Sequence, residues 1–99
     1  MMTVSKKTDG SHLTLTLEGR LDTTTAPQLE KELADSLESV TSLTFDFEKL
    51  EYISSAGLRV LLSAQKRMNK QGSMNIVHTG EAIMEIFEVT GFSDILTLA

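Results

Sequence analysis

The sequence contains no cysteine and no tryptophan, and it has only one proline and two histidines. A chain without cysteine forms no disulfides and no thiolate metal sites, and this composition fits a reducing cytoplasm. Its apolar runs, such as Val60-Leu61-Leu62, are far too short to cross a bilayer, and residues 1–10 are polar. We therefore expect a cytoplasmic protein with no membrane association and no secretory signal.

Basic residues are also scarce. Nine lysines and arginines face 14 acidic residues, which gives a net charge of −5. Such a surface repels phosphate backbones, so we expect no direct nucleic-acid partner. With 99 residues, 40% of them apolar, and no repeat or internal linker, the chain is predicted to form one domain over residues 1–99.

Period-two alternation predicts the strands. Residues 12–18 and 43–47 alternate apolar and polar side chains, as half-buried strands do, and residues 74–77 are predicted as another short strand. Residues 3–7 are a weaker candidate, and Asp9-Gly10 after them is a turn signal that would form an antiparallel hairpin. Residues 92–98 are expected to pack as a tail that allows a short final strand.

Helical spacing predicts three helices. In the first, Thr25 would be the cap, Pro27 would lie in the first turn and Gln28 would complete a capping box, with apolar residues recurring as far as Val40. The second covers roughly residues 56–70 and stops at Gly72, and the third covers 81–90 and stops at Gly91. This order predicts an α/β fold, a single domain with a mixed β-sheet of four to five strands and three main helices packed on it.

Motifs for catalysis are missing. The sequence has no Gly-x-Ser-x-Gly elbow, no glycine-rich nucleotide loop and no pair of histidines at metal-ligand spacing. A serine nucleophile would need His12 or His78 as its base, and both lie at predicted strand ends, where surface histidines are the simpler interpretation. Asp46, Glu48 and Glu51 are more simply solvated than metal-bound. We expect no catalytic residue, no cofactor and no metal site.

The segment Tyr52-Ile53-Ser54-Ser55-Ala56-Gly57-Leu58 is the most informative part of the chain. Two hydroxyls lie where an extended pattern gives way to a helical one, and a helix N-terminus with free N–H groups suits a phosphate. An ordinary serine N-cap is the competing interpretation. Glycine in a first helical turn costs backbone entropy, but it allows another group to approach the backbone closely. Gly57 therefore suggests such a close approach at the start of this helix.

Residues 45–62 also resemble the signature of the STAS domain found in bacterial anti-sigma factor antagonists. Residues 17–22, Leu-Glu-Gly-Arg-Leu-Asp, resemble the family's Gly-x-Leu-Asp element, and residues 86–92 resemble its final helix and glycine stop. In such antagonists the serine two positions before the glycine is phosphorylated, and here that residue is Ser55. Many members of the family have aspartate at the position of Ser54, and many have serine or threonine at the position of Ala56. Ser54 is the second choice of phosphate acceptor in this chain.

The resemblance implies a phosphorylation-switched binding module. The unphosphorylated form would bind an anti-sigma factor that is also a serine kinase and so release the sigma factor. Phosphorylation of Ser55 would reset the module, and a metal-dependent serine phosphatase would reactivate it. The alternative is a constitutive STAS docking or small-anion-binding domain in another signalling pathway, and in either case we expect a monomer.

A partner surface would gather the ends of several elements. Local turn and cap bonding is an equal alternative for the residues that precede the first helix. The predicted contact residues are Asp22, Thr23, Thr24, Ser54, Ser55, Ala56, Gly57, Leu58, Arg59, His78, Thr79 and Gly80.

Overall fold

Four strands form one mixed sheet in the computed structural model, which describes residues 2–98. They are β1 (Met2–Asp9), β2 (His12–Leu21), β3 (Ser42–Ile53) and β4 (Ser73–Val77), in the spatial order β1-β2-β3-β4. The first pair is antiparallel and the other two pairs are parallel. The predicted hairpin at Asp9-Gly10 and the predicted mixed sheet are confirmed.

The helices are α1 (Ala26–Ser36), α2 (Ser55–Gln71) and α3 (Glu81–Thr90). The bounds of α3 agree with the prediction, and α2 is one residue longer at each end. The helix α1 ends four residues before Val40, which is buried outside it. The Gln71 side chain donates hydrogen bonds to the carbonyls of Leu37 and Val40, both at 2.6 Å, so this turn is held by α2.

Thr25 is the N-cap residue of α1 and Pro27 lies in its first turn, as predicted, but the side-chain bonds differ from the prediction. The Thr25 hydroxyl makes no capping hydrogen bond; it donates instead to the carbonyl of Arg20 at 2.8 Å. The Gln28 side chain donates to the carbonyl of Met2 at 3.3 Å, so the predicted capping box is wrong. Both side chains are drawn to backbone carbonyls of the neighbouring strands, which tertiary packing brings within reach.

One face of the sheet carries the core. Buried leucines and phenylalanines alternate along β2 and β3, and the Phe47 ring lies 6.5 Å from that of Phe87 on α3. The helices pack on this apolar face. The other face is polar and half-buried, with His12 bonded to Ser42 at 2.8 Å.

The strand β3 extends beyond its predicted end at Phe47, where the alternation of buried and exposed side chains changes. Opposite β2 it has register shifts near Thr16 and Gly19, where β3 contains extra residues. A bulge shifts the phase of the side chains. The buried positions therefore run from Phe47 to Leu50 and then to Ile53, three apart rather than two. With this spacing β3 continues to Ile53, at the edge of the sheet where α2 begins.

The predicted final strand is reduced to one bridge. Phe92–Asp94 forms a 3₁₀ turn, and within residues 92–98 only Leu98 pairs with the sheet, opposite Ile76. The amides of Asp94 and Ile95 donate to carbonyls three residues back, so the chain curls before it reaches β4.

Candidate functional site

Ser54 and Ser55 lie where β3 ends and α2 begins, but their hydroxyls differ. Ser54 is the N-cap, and its hydroxyl accepts a hydrogen bond from the Gly57 N–H at 3.4 Å. Its own N–H donates to the Leu21 carbonyl at 2.9 Å, which ties the helix start to the end of β2. Ser55 is the first helical residue and is exposed, and within the described residues its hydroxyl has no hydrogen-bond partner. The uncommitted hydroxyl is therefore that of Ser55.

Gly57 is buried and faces the interior of the domain. A β-carbon at this position would lie 2.7 Å from Leu21 Cγ and 2.9 Å from Ile53 Cγ1. The absent side chain therefore lets α2 dock against the ends of β2 and β3. The close approach that Gly57 suggests in the sequence comes from the chain's own strands, and contact of Gly57 with a partner stays a prediction.

The Asp22 carboxylate organises the turn before α1. Its Oδ1 accepts hydrogen bonds from the Thr24 hydroxyl at 2.8 Å, the Thr24 N–H at 3.0 Å and the Thr25 N–H at 3.1 Å. These bonds, above all the one from the Thr24 hydroxyl, lower the pKa of Asp22 from 3.8 to about 2 against the opposing effect of desolvation. Asp22 and Thr24 thus serve local turn bonding, whereas the exposed Thr23 takes no part in these three bonds.

Arg20 and Tyr52 form an exposed pair beside this turn that sequence reasoning missed. The Arg20 guanidinium carbon lies 4.3 Å from the centre of the Tyr52 ring, and its Nε lies 3.7 Å from Asp22 Oδ2. The two residues are opposite each other in the β2–β3 register. They meet only because the bulges in β3 set that register, so no local pattern in the sequence could have revealed the pair.

A groove of ≈ 320 Å³ joins the turn before α1 to the first turns of α2. It lies between the two helices and places the exposed Thr23 and Arg59 on one surface. The Arg59 side chain makes no ion pair within residues 2–98. The groove is lined by Thr23, Ala26, Pro27, Glu30, Ala56, Arg59 and Val60.

The loop after β4 lies apart from this surface. Strand β4 ends where Val77 pairs with Asp46, seven residues before Ile53 along β3, and that is ~20 Å of strand. His78 has a left-handed backbone, with φ 57°, and its Nδ1 lies 3.0 Å from Asp46 Oδ1. The hydrogen bond with Asp46 raises the pKa of His78. The sheet register therefore ends β4 well before the end of β3, where α2 begins.

The comparison with known families decides the identity. The STAS domain model matches residues 3–99.

This chain belongs to the STAS domain family.

The STAS domain also resembles individual proteins. It is 37% identical over 95 residues to BtrV of Bordetella bronchiseptica, described as a candidate anti-sigma factor antagonist, a match covering 94% of this chain and 81% of that protein. It is 27% identical to an anti-sigma-B factor antagonist of Bacillus subtilis, covering 97% and 89%. The crystal structure of an anti-sigma factor antagonist from Mycobacterium paratuberculosis shares the fold, with a TM-score of 0.88, 24% identity and coverage of 99% and 85%.

Anti-sigma factor antagonists are non-catalytic binding proteins. In this STAS domain His12 contacts Ser42 and His78 contacts Asp46, both at the polar face of the sheet. Among residues 2–98, no group of three or more histidine, cysteine or acidic side chains could hold a metal ion. None of the helices in that range has both the length and the apolar character required to span a membrane.

The predicted contact residues of the STAS domain divide into three sets. Leu58 is buried, so its side chain belongs to the core, as the α-carbon of Gly57 does. Residues 78–80 lie in the separate loop. The set that the structure brings together at the start of α2 is Asp22, Thr23, Thr24, Ser54, Ser55, Ala56 and Arg59.

Proposed function

We propose that this STAS domain is an anti-sigma factor antagonist switched by phosphorylation of Ser55. In its unphosphorylated form it binds an anti-sigma factor that is also a serine kinase, and the sigma factor is released. Phosphorylation of Ser55 by that kinase ends the interaction, and a metal-dependent serine phosphatase restores it. The domain acts as a monomer in the cytoplasm.

The observation that supports this role is the difference between the two serines. The Ser54 hydroxyl is engaged in capping α2, whereas the adjacent Ser55 hydroxyl is exposed and unengaged within the described residues. An acceptor must be reached by the kinase, so Ser55 is the better acceptor and Ser54 the second choice. A phosphate at the first helical residue also lies at the positive end of the helix dipole, and the fold therefore tolerates it.

The chemistry needs only a hydroxyl from this domain. The bond from Ser55 Oγ to the γ-phosphorus of ATP forms as the bond from that phosphorus to the bridging β-phosphate oxygen breaks. The hydroxyl proton passes to a base of the kinase, and ADP leaves; ATP and magnesium belong to the kinase. The phosphatase would use water to cleave the phosphate ester, which regenerates serine and inorganic phosphate.

The switch follows from the cost of burying charge. Phosphoserine carries about −1.5 to −2 charges at neutral pH. In an interface that dianion loses its hydration, and without a cation opposite it the loss costs several kcal/mol. Because each 1.4 kcal/mol changes affinity about tenfold, binding would fall by orders of magnitude while the fold remains intact.

Incubation with a candidate kinase and ATP tests the acceptor. We expect one phosphate on the peptide containing both serines, detected by mass spectrometry, and fragmentation should assign it to Ser55. Ser55→Ala should abolish the phosphate and retain kinase binding, and Ser54→Ala should remain a substrate. A phosphate on Ser54 in the unaltered protein would contradict the assignment.

The alternative function is a constitutive docking or small-anion-binding STAS domain. The same start of α2 would then hold a partner or an anion without covalent change. Stable association with a partner that contains a serine kinase fold, with no phosphate on either serine after incubation with ATP, would favour this alternative.

A further inference from the structure

Arg59 is the cation best placed to meet a phosphate on Ser55. It follows Ser55 by four residues in α2, and residues at that spacing are neighbours on one helix face, about 5–6 Å apart at their β-carbons. Helical side chains lean toward the N-terminus, and Arg59 lines the groove together with Ala56, which lies in the same turn as Ser55. An anion that precedes a cation by four residues is also the favourable orientation.

The other charges around Ser55 leave Arg59 available. Glu30 lines the same groove, yet within residues 2–98 Arg59 forms no ion pair with it or with another acid. Arg20 is the competing cation, but it is stacked on Tyr52 and lies 3.7 Å from Asp22.

We infer that Arg59 binds the phosphate of phosphorylated Ser55 within the same domain. A guanidinium is matched to phosphate oxygens because its N–H groups can donate two parallel hydrogen bonds. The inference rests on Ser55 as the acceptor, and it adds a regulatory consequence. Phosphorylation places an anion on the surface and at the same time withdraws the exposed Arg59 cation from the groove between α1 and α2. The two states therefore differ at two points of the surface.

The test uses protein in which phosphoserine is inserted at position 55 during translation, so that no kinase is needed. The second pKa of the phosphate, ordinarily about 6, is measured by ³¹P NMR between about pH 4.5 and 8. The parent is compared with Arg59→Ala, Arg59→Lys and Arg20→Ala. The matched control is Arg67→Ala, which removes an exposed arginine of α2 three turns from the phosphate.

We expect Arg59→Ala to raise this phosphate pKa by about 0.2–0.7, as loss of an exposed ion pair would, and about 1 M salt should reduce the difference. Arg59→Lys should retain part of the effect, and Arg67→Ala should leave the parent value unchanged. The Arg59 Nε–H resonance should also shift between the unphosphorylated and phosphorylated parent proteins. Equal titrations for the Arg59→Ala and Arg67→Ala proteins, or a larger effect of Arg20→Ala, would overturn the inference. Because the phosphate is installed directly, this outcome is independent of whether a kinase modifies Ser55.

Discussion

Replacing Gly57 with alanine tests the account of how α2 is seated. The new methyl carbon would lie 2.7 Å from Leu21 Cγ and 2.9 Å from Ile53 Cγ1, and both side chains are almost fully buried, at 0% and 2% exposure. Neither can swing into solvent. Overpacking of this kind costs about 1–3 kcal/mol, and the better helix propensity of alanine returns at most about 1 kcal/mol. We expect a net loss of about 1–2 kcal/mol in the free energy of unfolding.

Urea denaturation followed by circular dichroism measures this loss, and a double-mutant cycle assigns its cause. Leu21→Ala removes the atom closest to the new methyl group. In that background the cost of Gly57→Ala should fall by more than about 1 kcal/mol, because contacting residues couple. A Gly57→Ala protein as stable as its parent but weaker in binding its partner would refute this reasoning. It would indicate that the glycine serves the approach of a partner after all.

Four further substitutions separate local structure from function. Ser54→Ala should lower the free energy of unfolding by about 0.5–1 kcal/mol, because the cap of α2 is lost. Ser55→Ala should change it by less than about 0.5 kcal/mol. Equal losses for the two variants in urea titrations would contradict the different roles of the two serines. The pKa of Asp22 is lowered to about 2 in the folded protein. The stabilisation of the fold by the ionised Asp22 carboxylate is therefore complete above pH 3.8 and is lost as the pH falls through about 2. Asp22→Asn should therefore lower the urea midpoint at neutral pH and lose this effect in strong acid, whereas a pH-independent difference would argue against the charge. The pKa of His78 is raised in the folded protein. The stabilisation of the fold by the His78–Asp46 pair is therefore present below pH 6.5 and is lost as the pH rises through the pKa that His78 has in the folded state. Asp46→Asn should lower the His78 pKa in an NMR titration of the imidazole, and an unchanged value would show that the pair is not formed.

The helices α2 and α3 were predictable because their signals are local. Apolar residues recur at helical spacing, and Gly72 and Gly91 stand at the ends of the two helices. Strand β3 was predicted only to Phe47, because a period-two pattern loses its phase at a bulge. The bulges depend on pairing with β2, which local sequence does not encode. The predicted capping box of α1 is wrong for a related reason, since the Thr25 and Gln28 side chains bond to carbonyls that only the folded sheet supplies.

At the candidate site, the position of the two serines could be predicted but their surroundings could not. The strand-to-helix change at Ser54-Ser55 is visible in the sequence, and so is the spacing of Ser55 and Arg59. The direction faced by Gly57 depends on Leu21, which is distant in the chain. The position of His78 beside Asp46 depends on where the pairing of β4 with β3 ends.

The most direct test of the account compares the two states of Ser55 in one binding measurement. A candidate anti-sigma factor with a serine kinase fold is titrated calorimetrically with the unphosphorylated domain, with the domain that carries inserted phosphoserine at position 55, and with the Ser55→Ala control. We predict that the unphosphorylated and Ser55→Ala proteins bind equally, and that the phosphorylated protein binds at least about 100-fold more weakly, which corresponds to about 3 kcal/mol. Equal affinity of the phosphorylated and unphosphorylated proteins would contradict the switch.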